Sequence, residues 1–338
     1  MTRSENRLLL IGVCLAVLVC ACGVRRSAER TYLNVSGLTQ GSTFSITYGD
    51  SLGRDFAPAI DSLLRLADST MSVFNEQSVL SRINRNELDT LPSIVAQAIA
   101  QSMRLAEETE GAFDITIGPV TRAIGFAGGQ LRGIDTSHVL ALMQHVGMDK
   151  IRLEGNRLLK QTPQVFIDLN GIAQGITVDM IAEFFEHQGV HNYLVEVGGE
   201  IMACGKSGRG SAWIVGVDSP IEGAIPGQCL QAKMRLTRRR GLATSGNYRK
   251  FVEVDGQRYS HTIDPLTGLP TLNALLSATV LAPSASLADA LGTAFMVRGL
   301  EWSQAYVQAH ADVDAILVYA DSTGANCMWS SEGVELVR

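Results

Sequence analysis

The segment that most constrains this chain is residues 285–297, ASLADALGTAFMV, apolar almost throughout except for Asp289 and Thr293. A helix of that composition has no polar face to give to water, so it belongs inside a core. Strand-like residues 275–281 run into Pro283 just before it, and the helix is expected from about Leu287 to Val297. Asp289 and Thr293 stand at i and i+4, so their oxygens share one side. A buried, unpaired carboxylate is costly and wants a cation or hydrogen-bond donors. Magnesium takes such hard oxygen ligands. Ser286 and Asp289 also fit S-x-x-D, a capping box with Asp at the third helical position. The residues alone leave both readings open.

The rest of the chain alternates strand-like and helix-like stretches without a repeat. Residues 40–48 (QGSTFSITY) alternate polar and apolar and read as a strand. Residues 55–71 place Phe56, Ile60, Leu63, Leu64, Ala67 and Met71 at helical spacing. Residues 92–110 form a second helix, with Pro92 in its first turn and Gly111 just past its end. Residues 172–188 form a third, closed by Gly189. Residues 193–197, 212–217 and 312–319 read as strands. With 46% hydrophobic and 18% charged residues in 338, the composition is globular. The net charge of -6 gives no footprint for nucleic acid. A mixed α/β unit over residues 31–338 is expected.

Residues 1–21 read as a signal segment. Arg3 and Arg7 precede an apolar run from Leu8 to Ala21. The run ends in VCACG, which resembles a bacterial lipobox with Cys22 as the lipidated first residue of the mature chain. Residues 22–30 are then a polar, basic tether. This predicts a lipid-anchored protein of the bacterial cell envelope, extracytoplasmic, on the periplasmic side of the inner or outer membrane, touching the membrane through its anchor alone. Cys204, Cys229 and Cys327 remain, so at most one disulfide is expected.

Several other signals are weaker. GKSGRG at 205–210 has its Lys-Ser pair in the wrong order for a phosphate loop. His187 and His191 are four apart, but Gly189 lies between them at a helix end. The run Arg238, Arg239, Arg240 reads as solvated surface, with a phosphate or protein contact as the other reading. VEVGGE at 195–200 puts paired glycines where a backbone turns or meets a ligand. LATSGNY at 242–248 and YSHTIDPLTGLP at 259–270 carry turn residues near a His and an Asp.

In order, GSTFSITY, MSVFNEQSVLSRIN, GAFDITIGPV, DLNGIAQGITVD, YLVEVGGEI, LATSGNYRKF, YSHTIDPLTGLP and ADALGTAFMVRG run from residue 41 to 299. Together they resemble the FAD:protein FMN transferase family, also called the ApbE family. The resemblance implies an α+β, T-fold-like unit of two lobes with FAD, the substrate, in the cleft between them. It implies magnesium (Mg2+) at the FAD pyrophosphate, held by Asp289, Thr293 and the backbone carbonyl of Gly171. It implies transfer of FMN from FAD to a Thr or Ser hydroxyl of an acceptor protein, with release of AMP. The acceptor would be a redox-complex subunit bearing a motif that ends S/T-G-A-T.

Carried over position by position, the resemblance implies flavin contacts at Gln40, Phe74, Ala112, Phe113, Asp114, Asp168, Gln174 and Ile263. Gln40 stands where the family commonly has Met. Phe74 stands where many members have Tyr or Trp, and it keeps the stacking face without the polar handle. Gln174 stands where members often carry Lys or Glu, so it brings hydrogen bonding without charge. His261 matches the base that would take the acceptor proton, with Asp264 as its orienter. A magnesium-dependent FAD pyrophosphatase and a non-catalytic FAD-binding lipoprotein are the alternatives; the second has no need of a metal-and-base arrangement.

Overall fold

The computed structural model describes residues 31–125, 136–220, 227–247, 251–254, 257–260 and 262–337, with backbone only at 251–254 and 257–260. Residues 1–30, read from the sequence as signal segment and tether with Cys22, and His261 lie outside the described residues.

An eight-stranded antiparallel sheet forms the spine, and its strands follow one another in space as they do in the chain. They are β1 (Thr31–Thr39), β2 (Ser42–Asp50), β3 (Tyr193–Val197), β4 (Glu200–Cys204), β5 (Arg240–Gly246), β6 (Leu275–Ala282), β7 (Asp314–Ala320) and β8 (Asn326–Ser330). The helices are α1 (Ala57–Met71), α2 (Val79–Asn84), α3 (Ser93–Glu108), α4 (Gly118–Ile124), α5 (Thr136–Met143), α6 (Ala173–His187), α7 (Ala285–Arg298) and α8 (Leu300–Ala309). The expected mixed α/β architecture is the one observed.

Two tight turns set the register at one end of the sheet. Thr39 faces Ser42, and between them Gln40 and Gly41 have φ of 49° and 70°. Val197 faces Glu200, and between them Gly198 and Gly199 have φ of 68° and 110°. Such left-handed pairs match the twist of antiparallel strands. The Gly198 amide donates to the Thr43 carbonyl at 2.9 Å, so the two turns are joined. Ser245 and Gly246, the last residues of β5, lie at this same end, as Ile201 pairs with Leu242 and Ser277 with Gly246.

Helices cover one face of the sheet and a β-hairpin the other. Ile46, Val195, Val197 and Met202 pack under Ile60, Leu64, Val178, Ile181 and Phe185 of α1 and α6. On the opposite face, Trp213, Val215, Met234 and Leu236 of the hairpin cover Ala203, Leu242, Leu281 and Ile316. The segment α7 is buried on all sides. Ala288, Leu291, Phe295 and Met296 pack on β5, β6 and β7. Ala290 and Ala294 join a separate core made by α1 to α3 and residues 112–176. That bridging position accounts for its uniform apolarity.

The structure adds elements that periodicity did not mark. β1 is an edge strand with mostly exposed or half-buried residues, so it carries little alternation to read. Cys204, Cys229 and Cys327 are all free thiols, and no described pair forms the one bridge that was allowed. Among the described residues, no helix is long and apolar enough to cross a membrane.

Candidate functional site

The site gathers where α6 begins, beside the two turns. The loop from Asp168 to Ile172 delivers the chain into α6. Asp168 is fixed by its amide donating to the Ile115 carbonyl at 2.7 Å and by the Asn170 amide donating to Oδ1 at 2.9 Å. Thr121 donates to its other oxygen at 3.4 Å. Burial pushes the Asp168 carboxyl upward, and these donors act against it. Asp114, one loop away, accepts from the amide and hydroxyl of Thr116 at 2.7 and 2.6 Å. Burial raises its pKa as well. Ala112 and Phe113 are buried in the helical core, with the Phe113 ring against the Gly171 backbone.

Gly171 joins this loop to α7. A Cβ on Gly171 would lie 3.2 Å from both Thr293 Oγ1 and the Phe113 ring. A turn earlier on α7, Asp289 Oδ2 accepts from the Gly175 amide at 3.1 Å. That contact is possible because α6 and α7 touch backbone to backbone. A Cβ on Gly175 would stand 2.6 Å from the Ala285 carbonyl oxygen. Asp179 of α6 locks the crossing, accepting from the amides of Ala285 and Ser286 at 2.8 and 2.9 Å. Asp289 is 6% exposed, and burial pushes its carboxyl up to about 7.

The capping-box reading of Ser286 and Asp289 is corrected here. The N-cap is Ser284, whose hydroxyl accepts from the Leu287 amide, and Asp289 reaches across to another helix. Asp289, Thr293 and Gly171 are thus brought together. Carboxylate, hydroxyl and backbone carbonyl form the hard oxygen set that suits magnesium, so these residues fit such an ion.

Of the flavin-side candidates, Gln40 and Gln174 meet the two turns and α6. The Gln40 amide nitrogen donates to Thr177 of α6 at 2.8 Å, which pins the first turn to the helix. Gln174 lies against Gly198 so closely that a Cβ there would collide with its amide. Gly198 is therefore required twice, by its φ and by this contact. Phe74, in the turn between α1 and α2, is 61% exposed and presents a free aromatic face. Gly292 packs on Ser245, and Asn247 accepts from Thr262 at 3.4 Å, which ties LATSGN to the following loop.

In that loop Ile263 is buried with Val120, Ile124 and Val139. Asp264 organises the DPLTG turn: it accepts from the Leu266 amide at 2.9 Å and the Thr267 hydroxyl at 3.2 Å. This turn-building role was not anticipated. His261 precedes it, outside the described residues.

Two readings of charge change. Arg239 donates to Glu186 and to the Pro283 carbonyl, both at 2.7 Å. Arg240 is buried against Asp314, while Arg238 and Arg239 stay exposed. His187 ends α6 while His191 lies beyond Gly189, and no cluster of three His, Cys, Asp or Glu is positioned for a metal among the described residues. A group the sequence reading passed over is Glu200, 8% exposed at the head of β4. Burial and the nearby Asp289 charge hold its carboxyl well above the usual range.

Comparison with known proteins matches this geometry. The model of the ApbE family covers residues 40–317. The FAD:protein FMN transferase of Haemophilus influenzae is 37% identical over 306 residues, 86% of each chain. That of Vibrio cholerae is 35% identical over 319 residues, 91% of this chain and 93% of its own. Among solved structures, the flavin transferase ApbE from Vibrio cholerae superposes with a TM-score of 0.78 at 31% identity, covering 90% of this chain and 98% of that one. The apo form of the Pseudomonas stutzeri flavinyl transferase ApbE gives 0.79 at 30% identity, covering 90% and 95%. The chain therefore belongs to the ApbE family.

Proposed function

We propose that this chain is an FAD:protein FMN transferase that moves FMN from FAD to a Thr or Ser hydroxyl of an acceptor protein. The observation that carries the reading is the joining of Gly171, Asp289 and Thr293 at the start of α6, in a chain of this family. The acceptor oxygen attacks the phosphorus on the riboflavin side of the pyrophosphate. A new P–O bond forms to the acceptor, the P–O bond to AMP breaks, and AMP leaves with the electron pair. His261 takes the hydroxyl proton. The Gln40 and Gly198–Gly199 turns, Gln174 and Phe74 border the flavin. Asp289, Thr293 and the Gly171 carbonyl would hold magnesium, which supplies charge neutralisation at the pyrophosphate and helps the departing oxygen.

The acceptor is read as a protein carrying a motif that ends S/T-G-A-T, and Cys22 as the lipid-bearing residue of an envelope protein. Cys22→Ser should release the folded protein from membranes, and unchanged retention would remove the anchor from the proposal. For the reaction, the purified chain is incubated with FAD, magnesium and such an acceptor. Transfer predicts one AMP per acceptor modified and an added mass equal to FMN. Free FMN with an unlabelled acceptor would replace transfer by hydrolysis of FAD.

A further inference from the structure

Glu200 is an acidic group beside this site that the proposed chemistry does not use. It opens β4, directly after the Gly198–Gly199 turn. Side chains alternate along a strand, so Glu200 shares a face with Met202. Met202 packs against Val178, Ile181 and Ala285, where α6 and α7 cross. The carboxyl of Glu200 therefore enters the helix layer rather than the face under the hairpin. There its Oε2 is enclosed without a hydrogen-bond partner among the described residues. The charge of Asp289 on α7 raises its carboxyl further, and Glu196, on the opposite face of β3 beside Ile201, adds a weaker like charge. Glu196 is occupied, since it accepts from the Gly199 amide at 2.9 Å. No described Lys, Arg or His forms an ion pair with Glu200 or Asp289.

A buried carboxylate oxygen without a donor is expensive, and a second carboxylate beside it adds repulsion. Both costs fall when a cation with its own water enters. Magnesium dehydrates reluctantly and keeps several waters. Groups that hold such outer atoms typically change metal affinity by about 10–100-fold. We propose that Glu200 is a positioning residue of the cation site, accepting at Oε2 a hydrogen bond from water carried by the divalent ion that Asp289 and Thr293 hold. This rests on the cation reading proposed above.

The test uses Mn2+ titrated into the FAD-loaded full chain without acceptor, with free Mn2+ read by its magnetic resonance signal. Glu200→Gln should weaken Mn2+ at least about tenfold, while FAD affinity in chelator and the thermal midpoint of the metal-free protein hold. Glu196→Gln removes a like charge from the same turn and should change Mn2+ affinity less than about threefold, an interaction through the field alone. Affinity in Glu200→Gln within twofold of wild type, or losses equal to those of Glu196→Gln, overturn the assignment. Asp289→Asn separates the two levels: if it also leaves Mn2+ binding intact, the cation reading falls and this inference with it. If Glu200→Gln does not fold, Glu200→Asp takes its place. Withdrawn by one methylene, it should still cost about tenfold, and wild-type affinity in it overturns the assignment.

Discussion

The two ends of the sheet treat buried charge in opposite ways. At one end, Arg240 of β5 and Asp314 of β7 are both buried and joined to each other. Asp314 also accepts from Ser331 at 2.8 Å, and Arg240 also donates to the Asp312 carbonyl. Nearby at the end of β2, Asp50 accepts from Arg54 through its amide and guanidinium at 2.8–3.0 Å. Each of these four charges finds its opposite within the chain. At the other end, Asp289 has a single amide and Glu200 has an oxygen with no partner among the described residues. Charge that serves the fold is completed by the fold. Charge left uncompleted in a packed interior is a cost that a ligand can repay.

Removing each kind of charge should therefore separate activity from stability. The largest effect is expected for Asp289→Asn, which keeps an acceptor for the Gly175 amide and removes the charge. Transfer should fall by about a thousandfold or more, roughly 4 kcal/mol of barrier, and excess chelator should do the same to wild type. The thermal midpoint of the metal-free protein should not drop. Full activity in this variant would erase the contrast between the two ends. Arg240→Met is the mirror experiment. It leaves Asp314 buried without its guanidinium and should cost about 3–5 kcal/mol of stability. Transfer per folded molecule at low temperature should be unchanged. A large loss of turnover without a loss of stability would mean that this end also serves the reaction.

His261→Ala comes next, with an expected loss of about a hundredfold in transfer, the lower range for a general base. Stabilisation by FAD should survive, since ligand binding to the native state raises the midpoint whether or not the reaction proceeds. If the loss instead tracks unfolding, His261 orders the turn that Asp264 builds.

The unequal ends also explain what the sequence disclosed. Residues 285–297 could only be a buried helix, and Asp289 and Thr293 stood out within it because they were the polar exceptions. The Gly175 contact could not be seen, since it joins residues 114 apart and depends on two helices crossing at glycine. Glu200 was visible in principle: in EIMAC it shares parity with Met202, so a charge stands on a core-facing register. The paired glycines before it drew the attention instead. Arg240 was misread for the same reason in reverse. Three consecutive arginines look like surface, but strand alternation puts Arg240 on the face of Leu242, under the hairpin. β1 escaped because an edge strand need not alternate.

The structural end should also show itself in acid. Hydrogen bonds from Arg54 hold the Asp50 carboxyl down at about 2. An unfolded Asp titrates near 3.9, so the stabilisation is complete above about pH 4 and is lost as pH falls through about 2. Asp50→Asn should cost about 1.5 kcal/mol at pH 7, read by chemical denaturation. That gap should close toward pH 2. A gap that stays constant down to pH 2 would mean that Asp50 contributes by shape rather than by charge.

The smallest effect expected is at Phe74, and it sharpens the comparison because it involves no charge. The ring is 61% exposed in the turn between α1 and α2. The turn itself is held by others: Ser72 accepts from the amides of Phe74 and Asn75, each at 3.2 Å, and Ser78 donates to the Ser72 carbonyl at 2.5 Å. Removing the ring should therefore leave the backbone and the thermal midpoint in place. An exposed aromatic buries little in the free protein, so its gain comes only when a flat ligand covers it. Stacking of that kind is worth about 1 kcal/mol, or roughly fivefold in affinity. Phe74→Ala should weaken FAD by that factor, measured by quenching of flavin fluorescence with magnesium absent. Phe74→Tyr should keep the face and hold affinity near wild type. Adenine stacks as readily as a flavin, so AMP serves as the control and should bind Phe74→Ala as it binds wild type. Equal weakening of AMP and FAD would move Phe74 from the flavin to the adenine side of the cleft.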